Sequence, residues 1–252
     1  MAKKLFVITG ASRGMGAAMA EQLLAPDHVL LCISRLRNDA LSAKAEAASA
    51  ACEQWSLDLA QPSEAALKLQ AWLASLDGAS FEFAALINNA AALTRIGPID
   101  DCGDGELASA LRVGLEAPLL LSAAFLRATR SWAADKRVLN ISSGLGRRAM
   151  AGQASYCATK AGLDHLTRAM ALDEAMRPNG AKLVSLAPGV IDTDMQVHLR
   201  AGESAGFPEK ANFIGMKEKG QLSSAPDAAA RVLAYLARDD FGASAVADVR
   251  DT

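Results

Sequence analysis

Two side chains in this sequence have the types and spacing to move a proton. They are Tyr156 and Lys160, which close the stretch 140–160, NISSGLGRRAMAGQASYCATK. Four residues is about one helical turn, so both side chains fall on the same helix face. An ammonium beside a phenol favours the phenolate, which predicts a Tyr156 pKa lowered from about 10 towards neutrality. A phenol so tuned is a general acid or base for carbonyl and alcohol chemistry. Ser143 follows the apolar run 138–141, where a strand would deliver its hydroxyl to the same substrate oxygen. A Tyr-x-x-x-Lys pair alone is equally a surface helix pair, so the elements around it decide its meaning.

The run 3–9 (KKLFVIT), ended by Gly10, predicts a buried parallel strand. The loop Gly10-Ala-Ser-Arg-Gly-Met-Gly16 follows, then helix formers over 17–24. Strand, glycine loop and helix let backbone N–H groups and a helix N-terminus hold a pyrophosphate. The spacing is GxxxGxG rather than GxGxxG, and a glycine cluster by itself can be only a turn. The second strand, 28–34, ends at Ser34-Arg35. At that place an acidic residue suits the 2′-hydroxyl of NAD and a cation the 2′-phosphate of NADP. Arg35, with Arg13 in the glycine loop and Arg37 beyond, favours NADPH over NAD. Further strands are predicted at 52–57, 81–87, 136–142, 182–186 and 243–249, and helices at 39–49, 61–76, 103–132, 154–177 and 226–236. The fourth strand leads into Asn88-Asn89-Ala90-Ala91, small residues at the carboxyl end of the sheet, where a ligand lies. Residues 194–224 have weak periodicity and exceed the usual connection of roughly 2–6 residues, which predicts a substrate lid with Met195 and Phe213 as apolar contacts. The alternation of strand and helix without a composition break predicts an α/β fold: a single doubly wound Rossmann-type domain over 1–252, with a parallel sheet of about seven strands.

Composition narrows the function classes. The chain is 51% hydrophobic and 21% charged, with a formal net charge of −2, and carries no basic tract. That balance argues against nucleic acid and anionic membrane surfaces as partners. The four cysteines, 32, 52, 102 and 157, are scattered without a CxxC, which points to neither a metal site nor a disulfide framework and fits a reducing cytoplasm. No uninterrupted apolar stretch approaches the roughly 18 residues of a membrane span. The nearest, 115–125, carries Glu116 and Pro118.

Taken together, the motifs resemble the short-chain dehydrogenase/reductase family along the whole chain. Thr9-Gly10-x-x-x-Gly14-x-Gly16 is similar to its cofactor signature, Asp58 to its adenine-contacting Asp, and Asn88-Asn89-Ala90 to its sheet-stabilising turn. Ser143, Tyr156 and Lys160 match its catalytic residues, and Pro188-Gly189 through Thr193 its nicotinamide-side loop. The resemblance implies cofactor contacts from Gly10, Ser12, Arg13, Gly14, Met15, Gly16, Arg35, Asp58, Leu59, Asn88, Ala90, Lys160, Pro188, Gly189, Val190, Ile191 and Thr193. Within the family the chain looks like the sepiapterin reductase and bacterial benzil reductase branch. There Asp248 aligns with an Asp that grips pterin, although a strand-end charge without a ligand reads equally well. Arg147 and Arg148 read either as the mouth of the site or as solvated charges.

Two residues depart from the family pattern. Ala91 stands where a glycine is usual, and Gly114 where most members carry an Asn that supports a proton-relay water. The resemblance implies an NADPH-dependent reductase of a ketone or α-dicarbonyl. Tyr156 would donate the proton, Ser143 would bind the same oxygen, and Lys160 would hold the phenol and the nicotinamide ribose. Two other readings stay open: an NAD(P)⁺-dependent alcohol dehydrogenase, and a cofactor-binding regulatory protein whose catalysis Gly114 has weakened. From the resemblance, a homodimer or homotetramer is expected.

Overall fold

The computed structural model describes residues 2–202 and 206–251. Seven parallel strands form one sheet in the order β3-β2-β1-β4-β5-β6-β7. They are β1 (Lys3–Thr9), β2 (His28–Ser34), β3 (Ala51–Ser56), β4 (Phe81–Asn88), β5 (Asp135–Ile141), β6 (Lys182–Ala187) and β7 (Val246–Asp248). The order reverses between β1 and β4, and the crevice above that switch point is where doubly wound sheets bind ligands.

The strands read as continuous apolar runs because both faces of the sheet are covered. On β1, Leu5 and Val7 face one core, which holds Leu69 and Leu73 of α3 (Pro62–Ala74) and Leu121 and Phe125 of α5 (Ala117–Ala128). Phe6 and Ile8 face the other, with Met19 of α1 (Gly14–Gln22) and Val232 and Leu236 of α9 (Ala225–Leu236). The helix α6 (Ala154–Ala175) differs in kind. Its buried residues include Ser155, Thr159, Lys160, Asp164, Thr167 and Glu174, so it meets the sheet through polar groups that must find partners there.

Several boundaries differ from those the sequence predicts. Helix α1 starts at Gly14 rather than at 17, because the last two glycines of the loop already belong to its first turn. The predicted helix over 103–132 is α4 (Asp104–Leu111), a π-helical turn (Arg112–Glu116) and α5. By length and composition Asp104–Ala128 is apolar enough to cross a bilayer, yet its apolar face packs into the core against α3. Strand β7 has three residues, not the seven of 243–249. The segment 194–224, expected as a substrate lid, carries α7 (Asp194–Ala201) and α8 (Lys210–Glu218), while 203–205 lie outside the described residues. Its period is obscured because these short helices bury few residues, and those into a separate cluster of Ile96, Met150, Leu199, Phe207 and Phe213.

Candidate active site

Ser143, Tyr156 and Lys160 come together at the carboxyl end of β5. Ser143 caps the 3₁₀ turn after the strand, and its Oγ accepts a hydrogen bond from Leu145 N–H at 3.2 Å. The hydroxyl hydrogen is thereby left to donate elsewhere. The start of α6 is pinned by a 2.9 Å hydrogen bond between the Thr94 and Ser155 hydroxyls. Lys160, 3% exposed, donates from Nζ to Ile141 O at 2.7 Å and lies 5.5 Å from the Tyr156 ring centroid.

The electrostatics differ from the sequence expectation. Burial pushes the Tyr156 phenol up to about 12, with the Ser143 hydroxyl pulling it down and Cys157 adding to the rise. Burial also draws Lys160 down to about 8, against the opposing charge of Asp164. The lowering predicted for Tyr156 is therefore absent, because loss of solvent around the phenol outweighs the pull of the Ser143 hydroxyl, and the Lys160 ammonium sits over the ring rather than against the phenol oxygen. A phenol held protonated is the form that a proton donor requires.

The glycine loop fits a pyrophosphate. Gly10 has φ +68°, and a Cβ there would stand 2.9 Å from Ala90 Cα; one on Gly16 would stand 2.2 Å from Gly10 O. Only glycines allow this close packing, which leaves the first N–H groups of α1 facing the crevice. A Cβ on Gly14 would stand 3.7 Å from the Thr193 side chain, so the loop that ends at Thr193 faces the glycine loop. Thr9 Oγ1 accepts hydrogen bonds from Asn89 and Ala90 N–H, and Asn89 Nδ2 donates to Thr9 O at 3.0 Å. The turn after β4 thus fastens the glycine loop.

The other predicted cofactor positions divide. Arg35 stands exposed past β2. Arg13 does not converge with it, but pairs with Asp194 at the start of α7 at 2.5 Å. Asp58 is exposed and caps Ala60 N–H at 3.0 Å, with Leu59 buried beside it. Ser12 and Met15 lie in the glycine loop and first turn. Pro188, Gly189, Val190 and Ile191 run from β6 to α7, held by Ser223 N–H donating to Val190 O and by the Ile191–Ser223 bridge. Asn88 is the exception: its side chain is buried between strands, donating to Asn140 Oδ1 at 2.8 Å and Ser122 Oγ at 3.2 Å. It braces β4 against β5 rather than turning to the crevice.

The predicted substrate residues also divide. Met195 is half-buried at the edge of the apolar cluster under α7 and α8, with Leu145 and Cys157. Phe213 is buried within that cluster and stacks on Phe207 at 5.6 Å, so it props the segment. Asp248 is buried at 6% exposure, and Arg250 binds its carboxylate at 2.8 and 2.6 Å. Its acceptors are already engaged. Arg147, exposed at one side, pairs with Asp164 at 3.3 Å and donates to Ala247 O. Arg148 is exposed. Gly114 lies on the π-helical turn, where a Cβ would stand 3.0 Å from Thr159 Cβ and 3.1 Å from its Cγ2. Thr159, next to Lys160, fills the space that the usual larger residue would need.

The model of the short chain dehydrogenase family matches residues 4–204. The chain is 34% identical over 235 residues to a benzil reductase ((S)-benzoin forming) of Bacillus cereus, covering 93% of this chain and 94% of that protein. It is 31% identical to the sepiapterin reductase of Meriones unguiculatus, covering 97% and 95%. A solved short-chain dehydrogenase/reductase from Burkholderia vietnamiensis superposes with a TM-score of 0.62 at 35% identity, covering 99% and 98%. This chain belongs to the short-chain dehydrogenase/reductase family, oxidoreductases that act between alcohols and carbonyls with a nicotinamide cofactor.

Proposed function

We propose that the protein is an NADPH-dependent reductase of ketones or α-dicarbonyls with bulky apolar substituents, of the benzil type. The observation that carries this reading is the meeting of Ser143, Tyr156 and Lys160 beside an apolar cluster that includes Met150, Leu145, Cys157 and Met195. When bound, the cofactor supplies the hydride. Ser143 turns its hydroxyl hydrogen to the substrate oxygen, and Tyr156, held protonated by burial, gives that oxygen a proton as negative charge builds there. Lys160, fixed by Ile141 O, keeps two N–H donors for the phenol and the nicotinamide ribose. The segment carrying α7 and α8 covers the substrate and excludes water, with Met195 against its apolar groups. Arg35, exposed at the end of β2, supports the choice of NADPH through charge-assisted binding of the 2′-phosphate. Leu111, Leu119 and Leu172, exposed on α4, α5 and α6, and Met176 at the C-cap of α6 support a homo-oligomer that covers them.

Consumption of NADPH and NADH by the purified protein across a carbonyl panel with benzil and sepiapterin tests the reading. Turnover of aromatic diketones with NADPH preferred is the expected result. Turnover confined to NAD⁺-dependent alcohol oxidation, or cofactor binding without any turnover, would overturn it.

A further inference from the structure

Asp164 lies one turn beyond Lys160 on α6, as Lys160 lies one turn beyond Tyr156, so the three share a helix face. It is 1% exposed. Its Oδ1 accepts hydrogen bonds from Ser142 Oγ at 2.5 Å and Ser185 Oγ at 2.6 Å. Its Oδ2 has no hydrogen bond among the described residues and faces Arg147 Nε at 3.3 Å. Arg147 reaches on to β7, donating to Ala247 O at 2.9 Å and standing 4.0 Å from Asp248 Oδ2. The loop after Ser143 closes directly on the helix: a Cβ on Gly146 would come within 2.8 Å of Asp164 Oδ2 and 2.9 Å of Lys160 O.

A buried carboxylate is costly unless it is hydrogen-bonded and paired, and here two hydroxyls and a guanidinium from three other segments meet that need. Each of those segments bears on the site. Ser142 precedes Ser143, Ser185 lies on the strand that leads to the nicotinamide-side loop, and Arg147 ends the turn that Ser143 caps. We propose that Asp164 is a positioning residue for carbonyl reduction: its buried carboxylate locks the Ser143 turn, β6 and the Arg147 loop onto α6 and sets a negative charge behind the Lys160 ammonium.

The proposal rests on the reductase reading above. The titratable and charged groups around Lys160 are Tyr156, Cys157 and Asp164 on its own helix, Arg147 in the loop after β5, and Asp248 and Arg250 at the end of β7. From β6 the contact is the neutral Ser185, and Arg112 and Glu116 of the π-helical turn are exposed. Asp164 therefore supplies the negative charge that opposes the loss of the Lys160 proton on burial, and Arg147 offsets part of its field.

Asp164→Asn removes the charge while keeping an acceptor for both serines. With benzil and NADPH, kcat at neutral pH should fall at least about tenfold with KM nearly unchanged, as expected when positioning fails. The alkaline limb of the kcat profile should move to lower pH. Arg147→Gln removes the opposing cation at a side chain that is 31% exposed, and should move the same limb to higher pH. A readout without turnover is the unfolding midpoint against pH. Lys160 titrates near 8 when folded against an ordinary 10.5. Between those values the unfolded chain binds the extra proton at this residue, so the Lys160 contribution to stability rises with pH across that window. Read as the difference from a Lys160→Met background, that rise should begin at lower pH in Asp164→Asn and at higher pH in Arg147→Gln. A uniform loss of stability with neither pH curve displaced would make Asp164 merely structural and overturn the proposal. If Asp164→Asn does not fold, the Arg147→Gln displacement alone decides. A wild type inactive on the whole panel would sink the reductase reading, while the midpoint curves would still judge Asp164.

Discussion

Tyr156 meets opposing influences, and burial is the stronger, so its phenol is held protonated. The Tyr156–Lys160 pair was legible because it depends on one local spacing. The sign of its electrostatics was not, since desolvation depends on everything packed around it. Asp164 went unread although the same arithmetic reaches it: a face that carries positions 156 and 160 also carries 164, and it buries the last two. Arg147 could not be read, because its partners lie 17 and 101 positions further on, at Asp164 and Asp248. The proposed preference for NADPH rests on a single charge, Arg35. Arg35→Asp should lower the ratio of kcat/KM for NADPH over NADH at least about tenfold, worth about 1.4 kcal/mol. An unchanged ratio would remove Arg35 from the 2′-phosphate site.

At the scale of elements, the glycine loop and the helix α6 follow from short-range pattern, whereas the π-helical turn does not. It packs against α6, and Thr159 of that helix occupies the space beside Gly114. On propensity alone Gly114→Ala would gain about 1 kcal/mol. Crowding against Thr159 Cβ, which cannot rotate away, predicts the reverse, a loss of about 1–3 kcal/mol. In a thermal melt that is a drop of about 2–4 °C per kcal/mol for a chain of this size. A raised melting temperature would contradict the packing account. The segment carrying α7 and α8 was legible only as something longer than a connection, because its helices bury their few apolar residues against each other and not against the sheet.

For the molecule as a whole, the strand order and the two-sided core follow from alternating elements whose strands are apolar on both faces. The short β7 escaped that logic, since it is defined by pairing with β6 over three residues rather than by its own composition. The fold brings the glycine loop, the Ser143 turn and α6 to one end of the sheet, and the central claim is that this end reduces a carbonyl with Tyr156 as proton donor. Tyr156→Phe removes one hydroxyl from a ring whose packing it leaves in place. Steady-state reduction of benzil by NADPH should fall by about 10²–10⁴-fold in that variant while NADPH still binds. Activity within a few-fold of the wild type would contradict the role given to Tyr156, and with it the account of the site.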